Sequence, residues 1–174
     1  MRLFIAIPVP PDIRRAAADT AKKLEAYGAT GRFTDPKNYH VTLHFIGESD
    51  ALSDAAEAMH AAVQAVHPFL LRMGEYGTFA GKGGGTGYVR MTGEGEELSA
   101  LHEMLVAELW EHGFSSGNTR FIPHITLGRS IKGDEGFAAS HREAFLVNQL
   151  VLFESTVEKG QPVYIPIHRE VLES

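Results

Sequence analysis

Alternation of apolar and polar positions marks out the elements of this chain. Arg2 to Ile7 is a short apolar run that predicts a buried first strand. Pro10-Pro11-Asp12 then opens a helix with Ile13, Ala17, Ala21 and Leu24 on one stripe, and Gly28 closes it. Arg32 to Asn38, carrying Pro36, reads as a loop. Tyr39 to Ile46 alternates as a strand, with Val41, Leu43 and Phe45 facing one way and His40, Thr42 and His44 the other.

The alanine-rich stretch from Asp50 to Val66 reads as a helix, and His67 to Met73 as a strand. A glycine-rich loop follows from Gly74 to Gly87, then a strand from Tyr88 to Met91. Glu96 to His112 is the clearest helix, with Leu98, Leu101, Leu105 and Leu109 as its stripe and Gly113 as its end. Phe121 to Gly128 is a strand, Gly133 to Gly136 a turn, and Phe145 to Ser155 and Val163 to Ile167 are the last strands. Short strands, several joined by loops rather than helices, favour an α+β arrangement with mainly antiparallel sheets over a doubly wound parallel one.

One pattern recurs. Tyr39-His40-Val41-Thr42-Leu43 is echoed by Pro123-His124-Ile125-Thr126-Leu127, each on a predicted strand with a helix nearby. Residues two apart on a strand share a face, so His40 projects with Thr42 and His124 with Thr126. The intervening Val41 and Ile125, with Leu43 and Leu127, anchor the opposite face in a core. Two lobes related by a pseudo-twofold axis, within one domain over residues 1–174, would bring the four polar side chains to one point.

Composition narrows the chemistry. The chain has no cysteine, which removes thiolate zinc sites, disulfides and cysteine nucleophiles and suits a reducing cytoplasm. The run from Met1 to Pro8 is too short for a signal-peptide core or a membrane span, so no membrane partner is expected. A formal net charge of −6 argues against a general nucleic-acid coat protein but allows one phosphate to be gripped locally. Arg32, Lys37, Arg120, Arg129 and Lys132 lie near the two motifs in sequence.

Histidine exchanges protons near neutral pH, so a pair can act as acid and base. Threonine hydroxyls can donate to phosphoryl oxygens, where charge develops. Base, acid and two donors around one phosphorus suffice for in-line attack by water on a cyclic phosphodiester, whose leaving oxygen stays tethered, so no metal or other cofactor is required. A metal held by His40 and His44 is disfavoured, because residues four apart on a strand lie about 13 Å apart. Gly81 to Gly87 matches neither common glycine-rich phosphate-binding template and reads as a rim loop. His60, His67, His102, His112, His141 and His168 read as structural or surface residues.

The chain resembles the 2H phosphoesterases, specifically the RNA 2′,3′-cyclic phosphodiesterase (2′-5′ RNA ligase) family. The resemblance is carried by Arg2 to Ile7, by Asn38 to Glu48, by Phe121 to Arg129, and by the tail from Leu150 through Ser155 and Gly160 to Tyr164. It implies a bilobal fold with the two H-x-T strands facing each other across a cleft. It further implies metal-independent opening of RNA 2′,3′-cyclic phosphate ends to a 2′-phosphate, with His40 as proton donor and His124 as proton acceptor. By the same resemblance, Thr42, Thr126 and Arg129 contact the phosphate. The family's usual tryptophan after the central loop is replaced here by Gly83 to Gly87 and Tyr88, and the single tryptophan, Trp110, falls on a helix. RNA ends, including tRNA fragments, and small cyclic nucleotides are both open as substrates for a monomeric enzyme. Ligation in reverse and RNA-end binding without turnover are open as well.

Overall fold

The computed structural model describes residues 1–117 and 120–173. Nine strands and three helices are seen among them, and every strand pairing is antiparallel. The strands are β1 (Arg2–Pro8), β2 (Thr30–Phe33), β3 (His40–Glu48), β4 (Phe69–Phe79), β5 (Gly85–Gly93), β6 (His124–Lys132), β7 (Ala144–Val147), β8 (Gln149–Glu158) and β9 (Gln161–Val171). The helices are α1 (Pro11–Tyr27), α2 (Leu52–Val63) and α3 (Glu97–Glu111). One sheet has the order β3-β1-β8-β9, the other β2-β6-β5-β4-β7. The protein is thus α+β with two antiparallel sheets, as the strand lengths and connections suggest. No helix among the described residues is long and apolar enough to cross a membrane.

The internal echo is an architectural repeat. In the first lobe β1 leads into α1 and later returns as β3, antiparallel to β1. In the second, β5 leads into α3 and returns as β6, antiparallel to β5. The helices form where the apolar stripes place them. Ile13, Ala17, Ala21 and Leu24 are buried on α1, and Leu98, Leu101, Leu105 and Leu109 on α3. Gly28 ends α1 in the left-handed conformation at φ 116°, donating its N–H to Leu24 and Glu25 carbonyls. α2 packs along α3, and one core runs from Leu3, Ile5 and Ile7 of the first sheet to Leu71, Val89 and Met91 of the second.

Both motif strands share one irregularity. Along β3, Thr42 faces Ala6 and His44 faces Ile5, so Leu43 is an extra residue in the ladder. Along β6, Thr126 faces Tyr88 and Gly128 faces Gly87, so Leu127 is extra in the same place. A bulge of this kind reverses the facing of everything after it. Phe45 therefore does not join Val41 and Leu43 in the core: it is 66% exposed, whereas His44, expected on the polar face, is 6% exposed.

Other boundaries differ from the sequence pattern. The loop expected at Arg32 to Asn38 begins as β2, which pairs with β6, and ends as a 3-10 turn, Pro36–Asn38. Most of the glycine-rich loop expected from Gly74 to Gly87 is strand. β4 continues to Phe79, because Gly77 and Gly87 leave room for the rings of Tyr88 and Tyr76. The strand expected from Phe145 to Ser155 is two strands in different sheets, β7 and β8, parted at Asn148.

Ala80 to Gly84 joins β4 to β5, and Gly84 seats the connection against β6. Its φ is +119°, and a Cβ there would lie 2.6 Å from the Ser130 carbonyl carbon. Gly83 also has positive φ, +74°, but faces open space. Gly83→Ala should cost only left-handed backbone strain, about 1 kcal/mol, whereas Gly84→Ala adds a main-chain overlap, for about 2–4 kcal/mol in all. Urea denaturation of both variants checks this, and equal losses would refute the close approach.

Candidate active site

His40 and His124 each stand first on their strand, and β3 and β6 approach each other from the two sheets without forming a ladder. The two imidazoles are held in the same way. His40 donates its Nδ1–H to the Asn38 carbonyl at 2.7 Å, and His124 donates its Nδ1–H to the Ile122 carbonyl at 2.6 Å. Each acceptor lies two residues back in the same chain, where the chain enters the strand. With Nδ1 committed, the exchangeable position of each ring is Nε2. The Thr42 hydroxyl donates to His40 Nε2 at 2.8 Å.

Aromatic rings wall both histidines. His40 packs against Phe4 at 5.0 Å between centroids and against the edge of Tyr164 at 5.3 Å, with Phe153 behind at 6.5 Å. His124 packs against Phe79 at 5.1 Å and Tyr88 at 5.4 Å, two rings that stack on each other at 4.2 Å. These rings strip water from the imidazoles and so disfavour the imidazolium. Burial accordingly lowers both histidines below the ordinary value near 6.5, despite the opposing carbonyl hydrogen bonds. Positive charge adds to this: Arg129 lowers both, and His124 additionally lowers His40.

The two copies of the H-x-T echo are therefore brought within electrostatic reach of each other. Thr42 and Thr126 follow their histidines on the same face, before the bulge. Arg129 comes after it, in the position that Phe45 occupies on β3. The bulges thus place an exposed aromatic ring on one side and a guanidinium on the other. Ser130, in the left-handed region at φ 54°, follows Arg129 immediately. Of the other cations, Lys37 pairs with Asp35 at the surface, Lys132 ends β6, and Arg32 lies beside Arg129 in the β2–β6 ladder. Arg120 belongs to the segment before β6.

Asn38 and the aromatic walls carry no local signal of their own. Asn38 is buried, and its Nδ2 donates to the Pro162 carbonyl at 3.1 Å, tying the turn before His40 to the β8–β9 hairpin. Phe4, Phe153 and Tyr164 come from three separate strands, and only the sheet order β3-β1-β8-β9 assembles them.

The remaining histidines are more engaged than their scattered positions suggest. His60 and His168 both bond Glu170, and His141 bridges Thr20 and the Gly74 carbonyl. His44 lies across the strand from His40, near His102, which stacks on Phe121 at 4.0 Å. Among the described residues no group of three histidine or acidic side chains is placed to hold a metal ion.

A sequence model of the 2′-5′ RNA ligase superfamily matches residues 8–158. The RNA 2′,3′-cyclic phosphodiesterase of Thermotoga maritima is 34% identical over 131 residues, which cover 74% of this chain and 70% of that protein. The crystal structure of TT0787 of Thermus thermophilus is similar with a TM-score of 0.86 at 26% identity, covering 99% of this chain and 98% of that one. The crystal structure of E. coli LigT complexed with 3′-AMP is similar with a TM-score of 0.81 at 26% identity, over the same shares of the two chains.

The shared anchoring of the two rings is open to direct measurement. In ¹⁵N-resolved NMR both histidines should be the Nδ1–H tautomer when neutral, and both should titrate below pH 6.5. An Nε2–H form, or a midpoint above 6.5 in the free protein, would refute this geometry for the ring concerned.

Proposed function

The chain belongs to the 2′-5′ RNA ligase superfamily, and from that premise we propose that it opens RNA 2′,3′-cyclic phosphate ends to 2′-phosphomonoesters, with no metal in the reaction. The observation that carries the proposal is the pair of identically anchored histidines, both under the charge of Arg129. The relatives named for this activity or seen with 3′-AMP support the same substrate class.

In the proposed reaction a water oxygen attacks phosphorus, and His124 Nε2 takes its proton. The bond from phosphorus to the 3′ oxygen breaks, and a proton on His40 Nε2 passes to that oxygen. The product keeps its phosphate on the 2′ oxygen. The Thr42 and Thr126 hydroxyls and the Arg129 guanidinium hold the non-bridging oxygens, where negative charge grows as the fifth bond forms. Thr42, bonded to His40 Nε2 in the free protein, must turn to the phosphate when substrate enters. The tethered leaving group and two proton carriers leave no step that calls for a metal.

A short RNA bearing a 2′,3′-cyclic end, incubated with the protein in excess chelator, tests this chemistry once the phosphate position of the product is identified. His40→Ala and His124→Ala should each lower kcat by about 10²–10⁴-fold, and Arg129→Ala by about 10²–10³-fold. Turnover that depends on added metal, or a variant of either histidine that retains full activity, would overturn the proposal.

The pH dependence has a definite sign. The competent free protein has one histidine protonated and the other neutral. Both are shifted below 6.5, so that form is populated at more acidic pH than two ordinary histidines would give. The kcat/KM profile should peak below pH 6.5 and fall as pH rises through it. A maximum above pH 7.5 would contradict the two-histidine assignment.

A further inference from the structure

Beyond the cleft, the second sheet carries an open face that leads away from His124. Arg90 is the cross-strand partner of His124, so the two side chains share a face. On β5 the same face continues with Thr92, whose partner on β4 is Arg72. On β4 and β7 it continues with the opposed pair Leu70 and Leu146. The alternate residues Val89, Met91, Leu71 and Val147 point to the core. Arg90 and Arg72 are exposed, and Leu70 and Leu146 are 39% and 55% exposed. No helix among the described residues covers this strip: α3 and α2 lie on the core side, where the buried alternate residues point.

We propose that the RNA strand attached to the cyclic end runs from the cleft across the open face of β5, β4 and β7, with Arg90 on a backbone phosphate and the Leu70–Leu146 pair under a base. The inference rests on the activity proposed above and extends it from the terminal phosphate to the nucleotides behind it. Three features of the face fit a single strand and no other occupant as well. It is continuous with the histidine that faces the reacting phosphate. Its nearest cation, Arg90, makes no hydrogen bond or ion pair with a described residue and is available to a phosphate, while Arg72 is engaged by Glu94. Its far end is an exposed apolar pair, a surface against which the face of a base can pack. From β6 to β7 is three strand spacings, about 14 Å, so the strip reaches beyond the terminal nucleotide.

This also reconciles an acidic chain with an RNA substrate. A protein of net charge −6 gains little from long-range attraction, so its hold on RNA must come from a few placed contacts.

The test is binding of the full chain to a fluorescein-labelled pentanucleotide ending in a 2′-phosphate, with the matching mononucleotide as competitor, at low and high salt. The pentanucleotide should bind about tenfold more tightly or better. Arg90→Ala should remove most of that gain and reduce the salt slope by about one. Leu70→Ser with Leu146→Ser should remove a part that salt does not change. Equal affinity for both lengths, or a gain that survives in both variants, would overturn the inference. So would a dimer, formed without RNA and abolished by Leu146→Ser, which would assign the face to a second copy. Turnover of a cyclic mononucleotide is read separately. Length-dependent binding without turnover removes the proposed activity and leaves this surface standing; turnover without length dependence does the reverse.

Discussion

Everything in the cleft depends on two hydrogen bonds from imidazole Nδ1 to a carbonyl two residues earlier, Asn38 for His40 and Ile122 for His124. Each fixes ring orientation and tautomer together, leaving Nε2 as the exchangeable nitrogen. Because donor and acceptor are so close in the chain, the anchor needs no partner from elsewhere, only a main chain that enters the strand at the right angle. On the His40 side that angle is secured by the Asn38 side chain, which reaches the Pro162 carbonyl in the β8–β9 hairpin. A buried amide left unbonded is costly, so the bond holds the entry turn in place.

The bulges perform the complementary task. A regular strand beginning at His40 would present His40, Thr42 and His44 to the cleft and send Phe45 to the core. The extra residue at Leu43 breaks that sequence, burying His44 and exposing Phe45. At Leu127 the same device brings Arg129 into electrostatic reach of both histidines. One irregularity, used twice, yields two different groups after the motif. The pseudo-symmetry is thus of backbone, while the chemistry of the two halves differs.

Much of this was legible in the sequence and some was not, for identifiable reasons. Helix stripes are local properties, so α1 and α3 could be read from Ile13 to Leu24 and Leu98 to Leu109. The H-x-T repeat marked the two strands and their shared facing. A bulge, however, is a property of a pair, and Leu43 looks regular until β1 is set beside it. The glycines of β4 and β5 mimic a loop because their role, space for the Tyr88 and Tyr76 rings, lies across the ladder. The break at Asn148 falls inside a largely apolar run, in which no local feature shows that the two halves join different sheets. The aromatic walls of the cleft come from strands far in sequence from the histidines they cover and could be assembled only by the sheet order.

The electrostatics of the free protein bear on how the proposed acid acquires its proton. Burial and Arg129 disfavour the charged form of both rings, and the two rings lie within electrostatic reach of each other. Before substrate binds, then, His40, the residue to which the donor role is proposed, is hard to protonate. A phosphodiester is an anion, and placed between the rings it offsets the charge of Arg129 and favours the imidazolium. By linkage, an anion that raises a pKa binds more tightly to the protonated form. In the proposed reaction substrate and proton would therefore enter together: the ligand that needs the acid is also the group that charges it. The same coupling releases Thr42, because a protonated Nε2 no longer accepts from its hydroxyl, which is then free to turn to the phosphate. Burial and Arg129 oppose protonation in the free protein, and in the proposed reaction the same guanidinium would stabilise the charge that builds on the phosphate, so the acid would stay unloaded until there is something to protonate.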